Sequence, residues 1–118
     1  MGNMHNIEDA LDNGSLTASV YQFSRNIVEL LAPWTELERR AVNLADHPAD
    51  DKQRVNCLEL LWGDIYSLPH SEQGRRRLFI GLLAPQEMLN SYSGGMMISF
   101  AEMAGLSEKQ IESAFGIT

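Results

Sequence analysis

The side chains that most often perform catalysis or bind metals are few and scattered in this chain. It has three histidines, His5, His47 and His70, and one cysteine, Cys57. No histidine has a second histidine or a cysteine at a spacing typical of zinc sites. Cys57 has no histidine beside it and precedes Leu58, so we expect a buried thiol rather than a nucleophile. The spacing predicts no metal site, no cofactor site and no catalytic residue.

Carboxylates and glycines lead to the same expectation. The acidic residues cluster within residues 8–12 and again at Glu36 and Glu38, and neither cluster has an apolar setting that would tune a pKa for acid–base catalysis. Gly94 and Gly95 lack both the lysine of a phosphate-binding loop and the third glycine of a dinucleotide-binding turn. We therefore expect a protein that is not an enzyme.

The size and the charge of the chain limit the classes of protein to which it could belong. The chain has 118 residues, is 44% hydrophobic and carries a formal net charge of −7, which suits one folded domain and disfavours direct nucleic-acid binding. No run approaches the ~20 apolar residues of a membrane span, and the N-terminal residues do not resemble a secretory signal. With a single cysteine, a cytoplasmic location without a disulfide framework is expected.

The elements that must position any site are predicted to be helices. Apolar residues recur at helical spacing, prolines separate the segments, and no segment alternates as a strand does. The predicted helices cover approximately residues 15–32, 35–46, 49–68, 71–84, 85–93, 96–104 and 107–115. The fold prediction is an all-α, compact single-domain bundle of about five to seven helices over residues 15–118, preceded by a polar tail over residues 1–14.

Several helix ends have a recognisable signal. Thr35 with Glu38, and Ser107 with Gln110, have the spacing of a capping box, in which two side chains satisfy amides of the first turn. We also expect Ser71 to cap the helix that follows it. Gly105 is well placed to end the helix over residues 96–104.

The C-terminal residues contain a second candidate function. Ala101, Gly105 and Ile111 have the A-x3-G-x5-I spacing of a helix-turn-helix unit, in which a small residue, a turn glycine and a branched apolar residue pack two helices together. The alternative prediction is thus a small DNA-binding regulator that uses residues 100–115. Charge opposes it, because residues 85–118 have one basic and four acidic side chains.

Arg75, Arg76 and Arg77 form the concentrated basic feature of the chain. Three successive helical residues span about 200°, so they cannot all face one partner. Their aliphatic stems could cover the core while the guanidinium groups are solvated. Alternatively, the triplet could anchor an acidic protein surface or a phosphate.

Residues 88–103 are rich in methionine and other apolar side chains, which cover most of a helix circumference. Such a helix is either central in the fold or buried in an interface, and methionine adapts to irregular partners. We expect a homodimer or a partner interface here if the segment is not wholly core. The candidate partner-binding residues are Arg75, Arg76, Arg77, Leu89, Tyr92, Met96, Met97 and Phe100.

Two segments of the chain resemble a known class of regulatory protein. They are RRRLFIGLLAPQEML, which begins at Arg75, and SYSGGMMISFAEMAG, which begins at Ser91. Together with its short, acidic and helical character, they make it resemble the small bacterial anti-activators of the QslA type. This resemblance implies a dimeric helical protein that binds the ligand-binding domain of a LuxR-family quorum-sensing transcription regulator. Binding of that kind would block dimerisation of the regulator and hence its binding to DNA.

Overall fold

The computed structural model describes residues 16–47, 50–84 and 94–114, and over these residues the protein is helical. It has six α-helices and one short 3-10 helix, with no strand among the described residues. The helices are α1 (Leu16–Glu29), α2 (Glu36–Asp46), α3 (Asp51–Trp62), the 3-10 helix (Ile65–Ser67), α4 (His70–Leu83), α5 (Gly94–Met103) and α6 (Glu108–Ala114). The all-α fold class and the number of helices are confirmed.

Helix α4 lies at the centre of the bundle and packs against α1, α2, α3 and α5. Its C-terminal half is buried on every side, from Leu78 to Leu83. A helix that is apolar all round has to be enclosed by other helices. Helix α6 closes the bundle at one end by packing against α1 and α5, with Ile111 fully buried.

The predicted helix caps are present at α2, α5 and α6. The Thr35 hydroxyl accepts a hydrogen bond from the amide of Glu38, whose carboxylate accepts one from the amide of Thr35. Ser107 and Gln110 exchange the same pair of bonds at the start of α6. Gly105 has a φ of +96°, and the amides of Gly105 and Leu106 reach back to Glu102 and Ala101. This is a Schellman motif, for which glycine is the favoured residue.

The prediction of one helix over residues 49–68 is wrong. Helix α3 ends at Trp62, Asp64 takes a left-handed conformation with φ 56°, and the 3-10 helix follows. Leu61 is buried, and Leu58 and Trp62 pack against the core, as the helical spacing of the apolar residues predicts, but Val55 is 48% exposed. The break at Gly63 explains the error in length, because the predicted helix was extended through it.

Two helix starts also differ from the prediction. Ser71 does not cap α4, which begins at His70 after Pro69 without a side-chain cap. Helix α5 begins at Gly94 rather than Met96, so both glycines belong to its first turn. The expected tail over residues 1–14 and the expected helix over residues 85–93 lie outside the described residues.

Candidate interaction surface

The histidines and the cysteine do not form a catalytic or metal-binding cluster among the described residues. His47 and His70 are exposed at the end of α2 and the start of α4, and His5 lies outside the described residues. No group of three or more histidine, cysteine, aspartate or glutamate side chains is arranged to hold a metal within residues 16–47, 50–84 and 94–114. Cys57 is buried, and this burial raises the pKa of its thiol.

We expect Cys57 to react slowly with thiol reagents in the native protein. A raised pKa reduces the fraction of thiolate at neutral pH, and burial blocks the approach of the reagent. Labelling with Ellman's reagent should be slow in buffer and complete in denaturant. Rapid native labelling, at the rate of the unfolded chain, would contradict the burial of this thiol.

The three adjacent arginines do not form one basic patch. Arg75 binds the carboxylate of Glu38 through two hydrogen bonds, from Nε at 2.7 Å and from Nη2 at 2.9 Å. Its Nη2 also donates to the carbonyl oxygens of Leu31 and Pro33, at 2.7 and 3.0 Å. Arg75 therefore joins α4 to α2 and to the segment between α1 and α2.

Arg76 is also used within the fold. Its Nη1 donates to the carbonyl oxygens of Leu60 and Leu61, both at 3.1 Å. These carbonyls belong to the last turn of α3, where no further turn of helix supplies amides to them. A cation at a helix C-terminus also interacts favourably with the helix dipole. Arg76 thus stabilises the end of α3 against α4.

Arg77 makes a different kind of contact, with three aromatic rings. Its guanidinium carbon lies 5.5 Å from the ring centre of Trp62, 5.6 Å from that of Tyr66 and 5.5 Å from that of Phe100. These rings come from α3, the 3-10 helix and α5, so Arg77 gathers three elements around one cation. Each distance is within the range of a cation–π interaction.

The methionine-rich segment divides between core and surface. Met97 is fully buried and Phe100 is 8% exposed, so both belong to the core of the protomer. Met96 is 41% exposed and lies one turn before Phe100 on α5. The remaining two candidates of this segment, Leu89 and Tyr92, lie outside the described residues.

Among the sequence candidates, Arg77 contacts the ring of Phe100, and Met96 lies one turn before Phe100 on α5. The rings of Trp62 and Tyr66 also contact Arg77. We call these five residues the Arg77 surface. Tyr66 is 78% exposed, the largest value among the exposed large apolar residues of the described chain. The sequence prediction missed both rings. The signal that could have found Tyr66 is its position next to Ile65, which helical spacing places in the core and which is 2% exposed.

The helix-turn-helix spacing corresponds to a packed helix pair. Ala101 and Ile111 are fully buried, and Gly105 occupies the turn between α5 and α6. Glu108, Lys109 and Gln110 are exposed at the start of α6. The packing role of the motif is thus present, and the exposed start of α6 has mixed charge.

Comparison with known proteins supplies no relative from which a role could be transferred. No family model, curated protein or solved structure matches the chain. Among the described helices, none is long and apolar enough to cross a membrane.

Proposed function

We propose that the protein is a non-enzymatic interaction module that binds its partner through the Arg77 surface. The observation that carries this proposal is the exposed ring of Tyr66 beside the half-buried Arg77 and two further rings, with the exposed Met96 one turn from Phe100. Binding hot spots are enriched in tryptophan, tyrosine and arginine. Rings held by Arg77 would also lose little side-chain freedom on binding, which lowers the entropic cost of association.

The partner in this proposal is a transcription regulator of the LuxR family, as the resemblance of segments 75–89 and 91–105 implies. The protein would act as an anti-activator by occupying the ligand-binding domain and preventing regulator dimerisation. Its site of action would then be the cytoplasm. The proposed homodimer has less apolar surface available than the sequence suggested, because the described part of segment 88–103 buries Met97 and Phe100.

The test is affinity capture with a double variant, Tyr66→Ala with Met96→Ala. Loss of two central apolar contacts should weaken capture of a LuxR-family ligand-binding domain at least about tenfold, equivalent to ~1.4 kcal/mol. Val55→Ala is the matched control, since Val55 is 48% exposed on α3. Circular dichroism should give the same helical content for all three proteins. Unchanged capture by the folded double variant would exclude this surface.

A second candidate function is supported by the buried Ala101 and Ile111 on either side of the Gly105 turn. In that case α6 would contact duplex DNA, and binding should weaken steeply with added salt. The suitable variant is Lys109→Glu, because Lys109 is exposed, whereas Gln110 is needed for the capping box. Fluorescence anisotropy with duplex DNA at low salt tests this candidate, and the absence of binding there would eliminate it.

A further inference from the structure

The hydrogen-bond donors of Arg77 distinguish it from its two neighbours. An arginine has five N–H donors. Arg75 directs its donors to Glu38 and two carbonyl oxygens, and Arg76 directs its own to the end of α3. Within the described chain, by contrast, the contacts of Arg77 are with aromatic rings, and no oxygen of these residues accepts a hydrogen bond from it.

The ion pairs of the described chain also set Arg77 apart from three other arginines. Arg25, Arg54 and Arg75 each lie against a carboxylate, but no carboxylate of the described residues pairs with Arg77. Some fully buried side-chain atoms of the described residues have no hydrogen-bond partner, and they belong to Ser24, Arg25 and Arg54. No nitrogen of Arg77 is among them. Among the described residues, the planar group of Arg77 thus lies against rings, and no oxygen accepts from its donors.

We propose that the Arg77 surface recognises a peptide segment in which a carboxylate lies between apolar side chains. The planar fork of a guanidinium matches a carboxylate through two parallel hydrogen bonds. Tyr66 and Met96, 78% and 41% exposed, would receive the apolar side chains next to that carboxylate. This inference rests on the proposed function and adds the chemistry of the partner.

Charge complementarity favours this occupant over others. The chain carries a net charge of −7, so an acidic partner is repelled by most of the surface and attracted at Arg77. Such an arrangement selects one orientation of the partner and discriminates against wrong ones. A small anion alone would leave the exposed ring of Tyr66 in water, whereas an acidic–apolar peptide would cover it.

The experiment is selection of short random peptides, displayed on phage, against the immobilised full chain. Enriched peptides should share an aspartate or glutamate flanked by aromatic or aliphatic residues. We expect Arg77→Met to weaken a synthetic copy of an enriched peptide about tenfold, and the acid-to-amide change in the peptide to have a similar effect. The two changes together should cost little more than either alone, because they remove the same pair.

Two further variants separate the effect of the guanidinium shape at Arg77 from the effect of charge. Arg77→Lys retains the charge without the fork and should give an intermediate affinity. Arg39→Met removes an exposed charge on α2 and should leave the affinity unchanged. Thermal unfolding of each variant shows whether it is folded. If Arg77→Met does not fold, Arg77→Lys takes its place as the test variant.

Three outcomes would overturn the inference: no enrichment, enriched peptides without acidic residues, or equal binding by folded Arg77→Met. If Tyr66→Ala weakens peptide binding but Arg77→Met does not, the surface binds peptides by apolar contacts. In that case the proposed function stands, and the inference that a carboxylate is recognised fails. If the regulator domain is captured equally by the Tyr66→Ala and Met96→Ala double variant, the proposed function itself fails.

Discussion

Replacing Arg75 with methionine should lower the free energy of unfolding by about 3–5 kcal/mol, as expected when one partner of a buried ion pair is removed. Glu38 is 3% exposed, and Arg75 supplies two hydrogen bonds to its carboxylate. The variant would leave this carboxylate buried without its cation. It would also remove the donor to the carbonyl oxygens of Leu31 and Pro33. Urea denaturation followed by circular dichroism measures the change.

A double-mutant cycle separates the ion pair from general packing. Glu38→Gln removes the charge that Arg75 neutralises but retains an oxygen able to accept from the amide of Thr35. Adding it to Arg75→Met should therefore recover part of the lost stability. Arg39→Met is the control, since Arg39 is exposed on the same helix as Glu38. Equal stability of Arg75→Met and Arg39→Met would contradict a structural role for Arg75.

The behaviour of the arginine triplet shows how far sequence reasoning reaches. The rotation of about 100° per helical residue predicts that Arg75, Arg76 and Arg77 point in different directions. It does not predict their contacts, because Glu38, the end of α3 and the ring of Phe100 are brought to α4 by tertiary packing. The charges seen as one basic feature therefore have three separate roles in the fold.

Apart from the expected cap at Ser71, which is absent, the helix caps were predictable because they depend on residues close together in the sequence. Thr35 with Glu38, Ser107 with Gln110, and Gly105 are local signals that need no knowledge of the fold. The length of α3 and the exposure of Val55 were not predictable in the same way. Val55 and Cys57 are both acceptable on a buried face, and only the position of α4 determines which of them is enclosed.

The Arg77 surface combines residues from Trp62 to Phe100, and its members come from four elements. The sequence indicates Arg77, Met96 and Phe100 as candidates, whereas Trp62 and Tyr66 are not among them. The turn at Gly63 and Asp64 redirects the chain so that Tyr66 reaches Arg77. Since the predicted helix continues through this turn, the sequence does not indicate that Tyr66 lies beside Arg77.

Gly74 is the position where a single added methyl group should have the other large effect. A Cβ there would lie 2.5 Å from the Cβ of Met103 and 2.6 Å from the backbone oxygen of Phe100. Real Cβ atoms do not approach so closely, and one of these atoms is backbone, so α4 and α5 would have to separate. Gly74→Ala should lower the free energy of unfolding by about 3 kcal/mol, at the upper end of overpacking effects. Thermal and urea denaturation measure this loss.

Gly63→Ala is the matched control, because it makes the same chemical change at an open position. A Cβ on Gly63 would meet backbone oxygens of Glu59 and Leu60 at 3.5 and 3.6 Å, which are ordinary contacts, and its φ of −57° suits alanine. Stability should be unchanged or higher by about 0.4–1 kcal/mol, since alanine restricts the unfolded chain. Equal effects of the two substitutions would mean that α4 and α5 do not cross closely at Gly74. A selective loss at Gly74 would instead establish the crossing that holds Phe100 against Arg77, and with it the geometry on which the Arg77 surface depends.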